Sequence, residues 1–127
     1  MATVPPVRSV LIIEDEQATR EMYVKLLAHA GFDVVTARTG TEGFTRACET
    51  TPDLIVTDLE LPTIDGWEVV RRLKADSRTR GIPVVVVTGW STPTLRDVAA
   101  KLGCASVLLK PCPPEELIAE LERTLGS

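Results

Sequence analysis

Short apolar runs and amphipathic stretches alternate five times along this chain, and no other feature narrows the possible folds so far. The apolar runs are Ser9 to Ile13, Phe32 to Ala37, Leu54 to Thr57, Pro83 to Thr88 and Ser106 to Leu109. Four of them, VLII, LIV and VVVV included, are nearly unbroken instead of alternating apolar with polar residues. Strands need that pattern when both faces are covered, which points to a parallel sheet. The intervening stretches carry apolar residues at helical spacing. They are Ala18, Met22 and Leu26 with Tyr23 and Leu27; Phe44, Ala47 and Cys48; Ile64, Trp67, Val70 and Leu73; Leu95, Val98, Ala99 and Leu102; and Leu117, Ile118, Leu121 and Leu125. Gly31, Gly40, Gly81 and Gly103 fall between elements, Thr92-Pro93 opens the fourth helix, and Pro113-Pro114 opens the fifth. The expected fold is α/β, a single doubly wound (βα)5 domain with helices on both faces of the sheet.

At 127 residues, with 44% hydrophobic and 25% charged, the chain suits one soluble domain with one shared core. The expected organisation is a flexible N-terminal tail over residues 1–6 and one domain over residues 7–127. No apolar run approaches the length of a membrane span, and the opening MATVPPVRSV lacks the basic and apolar segments of a secretion signal. The cytoplasm is the expected compartment, with no membrane partner. A formal net charge of -4 argues against direct nucleic-acid binding, which needs a basic face to displace counterions. Cys48, Cys104 and Cys112 show no C-x-x-C spacing and read as small, partly buried thiols, not as a disulfide framework or a zinc site.

In an open parallel sheet covered on both faces, ligands bind outside the carboxyl ends of the strands. Those ends carry Glu14 and Asp15 after the first run, Asp58 after the third, Thr88 at the end of the fourth and Lys110 after the fifth. Each has a plainer reading alone: Asp15 as a helix cap, Asp58 as a turn residue, Thr88 as a strand end, Lys110 as a solvated lysine. Their arrival at one edge of one sheet outweighs those readings. The segments LIIEDE, IVTDLELPTIDGWEV, VVVVTG and LLKP resemble, in order and spacing, the four signature segments of response-regulator receiver domains of two-component signalling, the chemotaxis response regulators among them. The resemblance spans nearly the whole chain. It implies a flavodoxin-like five-stranded parallel sheet in the order 2-1-3-4-5. It implies a signalling switch, not an enzyme, whose Asp58 accepts a phosphoryl group from a histidine kinase or histidine phosphotransfer protein and which a downstream target or output domain reads. It further implies magnesium as cofactor, manganese able to substitute, and the backbone carbonyl of Glu60 as a metal ligand. A cis Lys110-Pro111 peptide is also implied, and the face of the fourth helix, fifth strand and fifth helix is the place for a homodimer.

The same residues make chemical sense without the resemblance. A carboxylate such as Asp58 can attack phosphorus and form an aspartyl phosphate. The negative oxygens of the incoming group cannot approach a carboxylate cluster unscreened, so a hard cation is expected there, with Asp15 and Asp58 as ligands and Glu14 reaching it directly or through water. Lys110 supplies a compact positive charge that pairs with Asp58 at rest and with a phosphoryl oxygen afterwards. The Thr88 hydroxyl can donate to another phosphoryl oxygen. His29, the only histidine, falls near the end of the first helix and reads as solvent-exposed. Trp67 lies on an apolar helical stripe and reads as core, whereas Trp90 falls on a loop bordering the crevice.

Two departures from the family pattern matter, as do two residues at the mouth of the crevice. Many receivers carry Tyr or Phe three residues before the lysine; Val107 stands here, so an aromatic rotamer switch is unavailable. Glu14 replaces the commoner aspartate with a longer side chain of the same charge. Glu60 and Trp90 occupy positions that, by the resemblance, flank the path of the hydrolytic water. Trp90 is therefore expected to shield the phosphoryl group and slow self-dephosphorylation, while Gly89 leaves room for small donors. An aspartate-nucleophile phosphatase of the haloacid dehalogenase kind would want D-x-D, but Glu60 holds the second position and the double acid lies on the first strand. A degenerate receiver used only as an interaction module is disfavoured by the intact Asp15, Asp58, Thr88 and Lys110, although Val107 keeps it open.

Overall fold

The computed structural model describes residues 7–126; the expected tail over residues 1–6 lies outside the described residues, as does Ser127. The alternation resolves into β1 (Ser9–Ile13), α1 (Gln17–His29), β2 (Asp33–Ala37), α2 (Gly40–Thr50), β3 (Leu54–Thr57), α3 (Gly66–Ala75), β4 (Val84–Thr88), α4 (Leu95–Leu102), β5 (Ser106–Leu109) and α5 (Pro114–Thr124). All pairings are parallel and the order is β2-β1-β3-β4-β5, as the sequence led us to expect.

The unbroken apolar runs are explained by two cores, one on each face. Successive side chains of a strand point to opposite faces. Leu11, Ile13, Ile55, Val84, Val86 and Val107 therefore pack with Ala47, Val69, Val70, Leu73, Leu95 and Ala99 of α2, α3 and α4. Val10, Ile12, Leu54, Val56, Val85 and Val87 pack on the other side with Tyr23 and Leu27 of α1 and Leu117 and Leu121 of α5. A central strand thus needs an apolar residue at every position. Each fully buried Leu, Ile or Val, on strand or helix, contributes roughly 1.5–3 kcal/mol by leaving water.

The helices differ from expectation in detail. On α1, Ala18 and Met22 are exposed, Met22 at 41%, while Tyr23 and Leu27 are buried. The helix is turned so that this i, i+4 pair meets the sheet and Met22 faces the loop after β5. Ile64 precedes α3, which starts only at Gly66, because Asp65 caps the helix by accepting the Glu68 N–H at 3.0 Å. Val69 joins Val70 and Leu73 on the buried face, and Trp67 is half-buried against the same core. Thr92-Pro93 lies in the turn before α4, which opens at Leu95 after the Leu95 N–H bonds the Thr92 carbonyl at 3.2 Å. Gly40 is the first residue of α2, not a linker, and Phe32 and Pro83 each sit one place before their strands.

Candidate functional site

Ladder hydrogen bonds continue one residue beyond the strands and fix the backbone of the site. The Glu14 N–H donates to the Ala37 carbonyl at 3.0 Å, Asp58 N–H to Ile13 at 3.1 Å, and Lys110 N–H to Thr88 at 2.8 Å. The rigid sheet thereby aims three functional side chains at one edge, as a precise site requires. The β1–α1 turn has its own brace: Arg20 Nη1 donates to the carbonyls of Glu14 and Asp15 at 3.0 and 3.3 Å. Sequence reasoning passed over Arg20. A cation in the first turns of the helix that follows an acid pair was the signal available.

Asp58 is almost fully buried, and its carboxylate is held from two sides. Oδ1 accepts the N–H groups of Leu59 and Glu60 at 2.6 and 3.1 Å, and Oδ2 accepts from Lys110 Nζ at 2.8 Å. The same ammonium donates to Glu14 Oε1 at 3.0 Å, while Glu14 Oε2 accepts the Glu16 N–H at 3.1 Å. Asp15 stays exposed and does not cap α1, whose N-cap is Glu16. One carboxylate oxygen from each of Glu14, Asp15 and Asp58 lies within 4.8 Å of the others. Burial pushes the Glu14 carboxyl above the usual range, against the Glu16 N–H and Lys110. Burial alone would lower Lys110, but its hydrogen bonds to Asp58 and Glu14 prevail and hold the ammonium above the ordinary lysine value. Thr88 is fully buried at the end of β4, and its Oγ1 accepts the Trp90 N–H at 3.0 Å.

Glu60, Gly89 and Trp90 frame the mouth. A Cβ on Gly89 would meet Glu60 Oε1 at 3.7 Å, so the Glu60 side chain reaches across the crevice towards the β4–α4 loop. Trp90 is 37% exposed there. On the other side, Thr19, Met22, Tyr23, Pro111, Cys112 and Lys110 line a cleft of about 430 Å³, and the Lys110–Pro111 peptide is cis. His29 is exposed at the far end of α1. The three cysteines are free thiols that burial pushes above the ordinary cysteine value, which leaves them poor nucleophiles.

Comparison with known families decides what this edge belongs to. The model of the response regulator receiver domain matches residues 10–122. The chain belongs to that family. Like other response-regulator receivers, it is a module of two-component signalling, a system in which kinases and downstream targets are the partners. The polar-differentiation response regulator DivK of Brucella ovis is 32% identical over 119 residues, covering 94% of this receiver and 97% of that protein. The chemotaxis response regulator CheY4 of Vibrio cholerae superimposes with a TM-score of 0.88 at 28% identity, over 94% of this receiver and 99% of that chain. The receiver domain of the sensor histidine kinase PA1611 of Pseudomonas aeruginosa PAO1 has a TM-score of 0.87 at 25% identity, covers 96% and 100% of the two chains, and coordinates magnesium in its active-site cleft. No helix among the described residues is long and apolar enough to cross a membrane.

Proposed function

We propose that this receiver is a phosphorylation-dependent switch whose Asp58 accepts a phosphoryl group from a histidine kinase or histidine phosphotransfer protein. The observation that carries the reading is a buried Asp58 paired at 2.8 Å with Lys110 beside two further carboxylates. An Asp58 oxygen forms the new bond to phosphorus as the phosphorus–nitrogen bond of the donor breaks, and the donor imidazole leaves with its electron pair and takes up a proton. The donor set fits a hard divalent ion, since all three side chains offer carboxylate oxygens. Glu14, Asp15 and Asp58 would hold magnesium, with the Glu60 backbone carbonyl as the further ligand that family likeness suggests; manganese, also an oxygen-seeking ion, would substitute. Bound there, the ion neutralises charge on the carboxylates and the transferring group. Lys110 meets one phosphoryl oxygen as a point charge. Thr88, whose oxygen already accepts the Trp90 N–H, keeps its own proton to donate to another.

The added charge then shifts the domain between inactive and active populations in the cytoplasm, and a downstream target, an output domain or a second copy reads the face of α4, β5 and α5. Glu60 and Trp90 at the mouth support slow self-dephosphorylation. Replacing Trp90 by Ala is expected to speed loss of the phosphoryl group, followed by intact mass over time; an unchanged rate would defeat the idea. One observation favours a second reading, a receiver that only binds partners: Val107 is 6% exposed and packed in the core with no aromatic lever. Exposure to a small phosphodonor with and without magnesium separates the two. A single adduct that needs the metal and is absent in Asp58→Asn supports the switch, and no adduct supports the interaction module.

A further inference from the structure

We propose that Arg20 is a positioning residue for the acidic cluster: by clasping the carbonyls of Glu14 and Asp15 it holds Asp15, the acid with no anchor of its own, where a divalent ion needs it. This role rests on the proposed function, since the ion concerned is the one that serves Asp58.

The three carboxylates are not held alike. Asp58 is fixed by the N–H groups of Leu59 and Glu60 and by Lys110. Glu14 is fixed by Lys110 and the Glu16 N–H. The Asp15 carboxylate is exposed and accepts no hydrogen bond among the described residues, yet one of its oxygens lies within 4.8 Å of oxygens from the other two. Its place is therefore inherited from its backbone. Asp15 sits in a bend after β1 ends at Ile13 and before α1 begins at Gln17, so neither the strand ladder nor the helix fixes it. Arg20, one turn inside α1, closes that gap. Its Nη1 donates to the Glu14 carbonyl at 3.0 Å and to the Asp15 carbonyl at 3.3 Å, and ties the end of β1 to the helix that follows.

The partners of Arg20 are informative. A guanidinium this close to three carboxylates has every reason to pair with one, but among the described residues Arg20 forms no ion pair. Its donors go to peptide carbonyls, which orients the turn and leaves the carboxylate oxygens to an ion. Folding has then already ordered the turn, and an arriving ion does not have to. Charge and position pull in opposite directions here. As a charge, Arg20 repels a divalent ion; as a brace, it prepares the ion's ligands.

That opposition supplies the test, which is titration calorimetry of the full chain with magnesium. Arg20→Met keeps the aliphatic stem and removes both the charge and the donors. Loss of charge alone would tighten binding, whereas loss of position is expected to weaken it about tenfold. Arg20→Lys is expected to recover most of the affinity, because an ammonium can bridge two carbonyls, as Lys74 does for Arg80 and Ile82. An affinity in Arg20→Met equal to or above that of the unaltered chain overturns the proposal. So does an equal loss in Arg20→Met and Arg20→Lys. Amide hydrogen exchange without metal reads the brace independently: in Arg20→Met the Glu16 N–H should lose protection while β1 keeps its own, and unchanged protection at Glu16 overturns the brace. An unaltered chain that binds no magnesium overturns the metal role in the proposed function instead, and the exchange result still decides whether Arg20 holds the turn.

Discussion

At the scale of single residues, the site tolerates change where side chains meet side chains and resists it where backbone meets backbone. Gly66 shows the second case. A Cβ there would stand 2.3 Å from the Asp58 carbonyl oxygen and 2.7 Å from the Leu59 Cα, and neither atom belongs to a flexible group. Gly66→Ala is expected to cost about 3 kcal/mol in urea unfolding, as overpacking does, and to lower the yield of phosphoryl adduct by displacing the Asp58 backbone. Gly89 shows the first case, with only Glu60 Oε1 at 3.7 Å. Gly89→Ala should alter stability by less than about 0.5 kcal/mol. A large loss for Gly89→Ala, or none for Gly66→Ala, would contradict the packing described for α3 against the end of β3.

At the scale of elements, the β3–α3 connection is the segment that ties chemistry to architecture, since it runs from Asp58 through Glu60 to the cap of α3. Asp65 ends it by capping the helix, while Thr63 within it adopts φ 68°. A β-branched residue in the left-handed region is strained, because its Cβ crowds the following carbonyl. Thr63→Asn should relieve the strain and stabilise the domain by about 1 kcal/mol, read as a shift of the denaturation midpoint at constant slope. A fall in the midpoint would mean that the Thr63 side chain contributes more than its backbone costs. The α3–β4 connection is pinned differently. The buried Thr79 hydroxyl donates to the Leu73 carbonyl at 2.7 Å, and Lys74 Nζ donates to the carbonyls of Arg80 and Ile82 at 3.2 and 3.0 Å. These bonds satisfy carbonyls at and beyond the helix end that would otherwise lack partners.

At the scale of the whole molecule, two apolar cores lock the sheet while one of its edges collects negative charge. Folding must therefore hold Glu14, Asp15 and Asp58 within 4.8 Å of one another, with Lys110 as partial compensation. An ion that binds this edge in the folded state and not in the unfolded chain stabilises the fold by mass action. Magnesium at about 100 times its Kd should add about 2.7 kcal/mol to the unfolding free energy, and a chelator should remove it. The increment should shrink in Asp58→Asn, which keeps the shape of the side chain but loses a charge. An equal increment in that variant would place the ion elsewhere.

The repeating pattern of the chain determined by itself that the sheet is parallel and covered on both faces, because only strands such as VLII and VVVV with two buried faces need an apolar residue at every position. The strand ends that this pattern defines named Glu14, Asp15, Asp58, Thr88 and Lys110 in advance, and the structure brings the three acids and the lysine together. Other features could not be read along the chain. Spacing gave α1 a wider apolar stripe than the sheet uses, because only contact with α5 and the strands decides which side of a helix turns inward. The Glu14–Lys110 pair joins residues 96 apart in sequence, and no local pattern encodes so distant a contact. Propensity and periodicity are short-range and act within an element. Which carboxylate holds the lysine is set by strand register and side-chain reach across the sheet edge, and only the tertiary structure decides those.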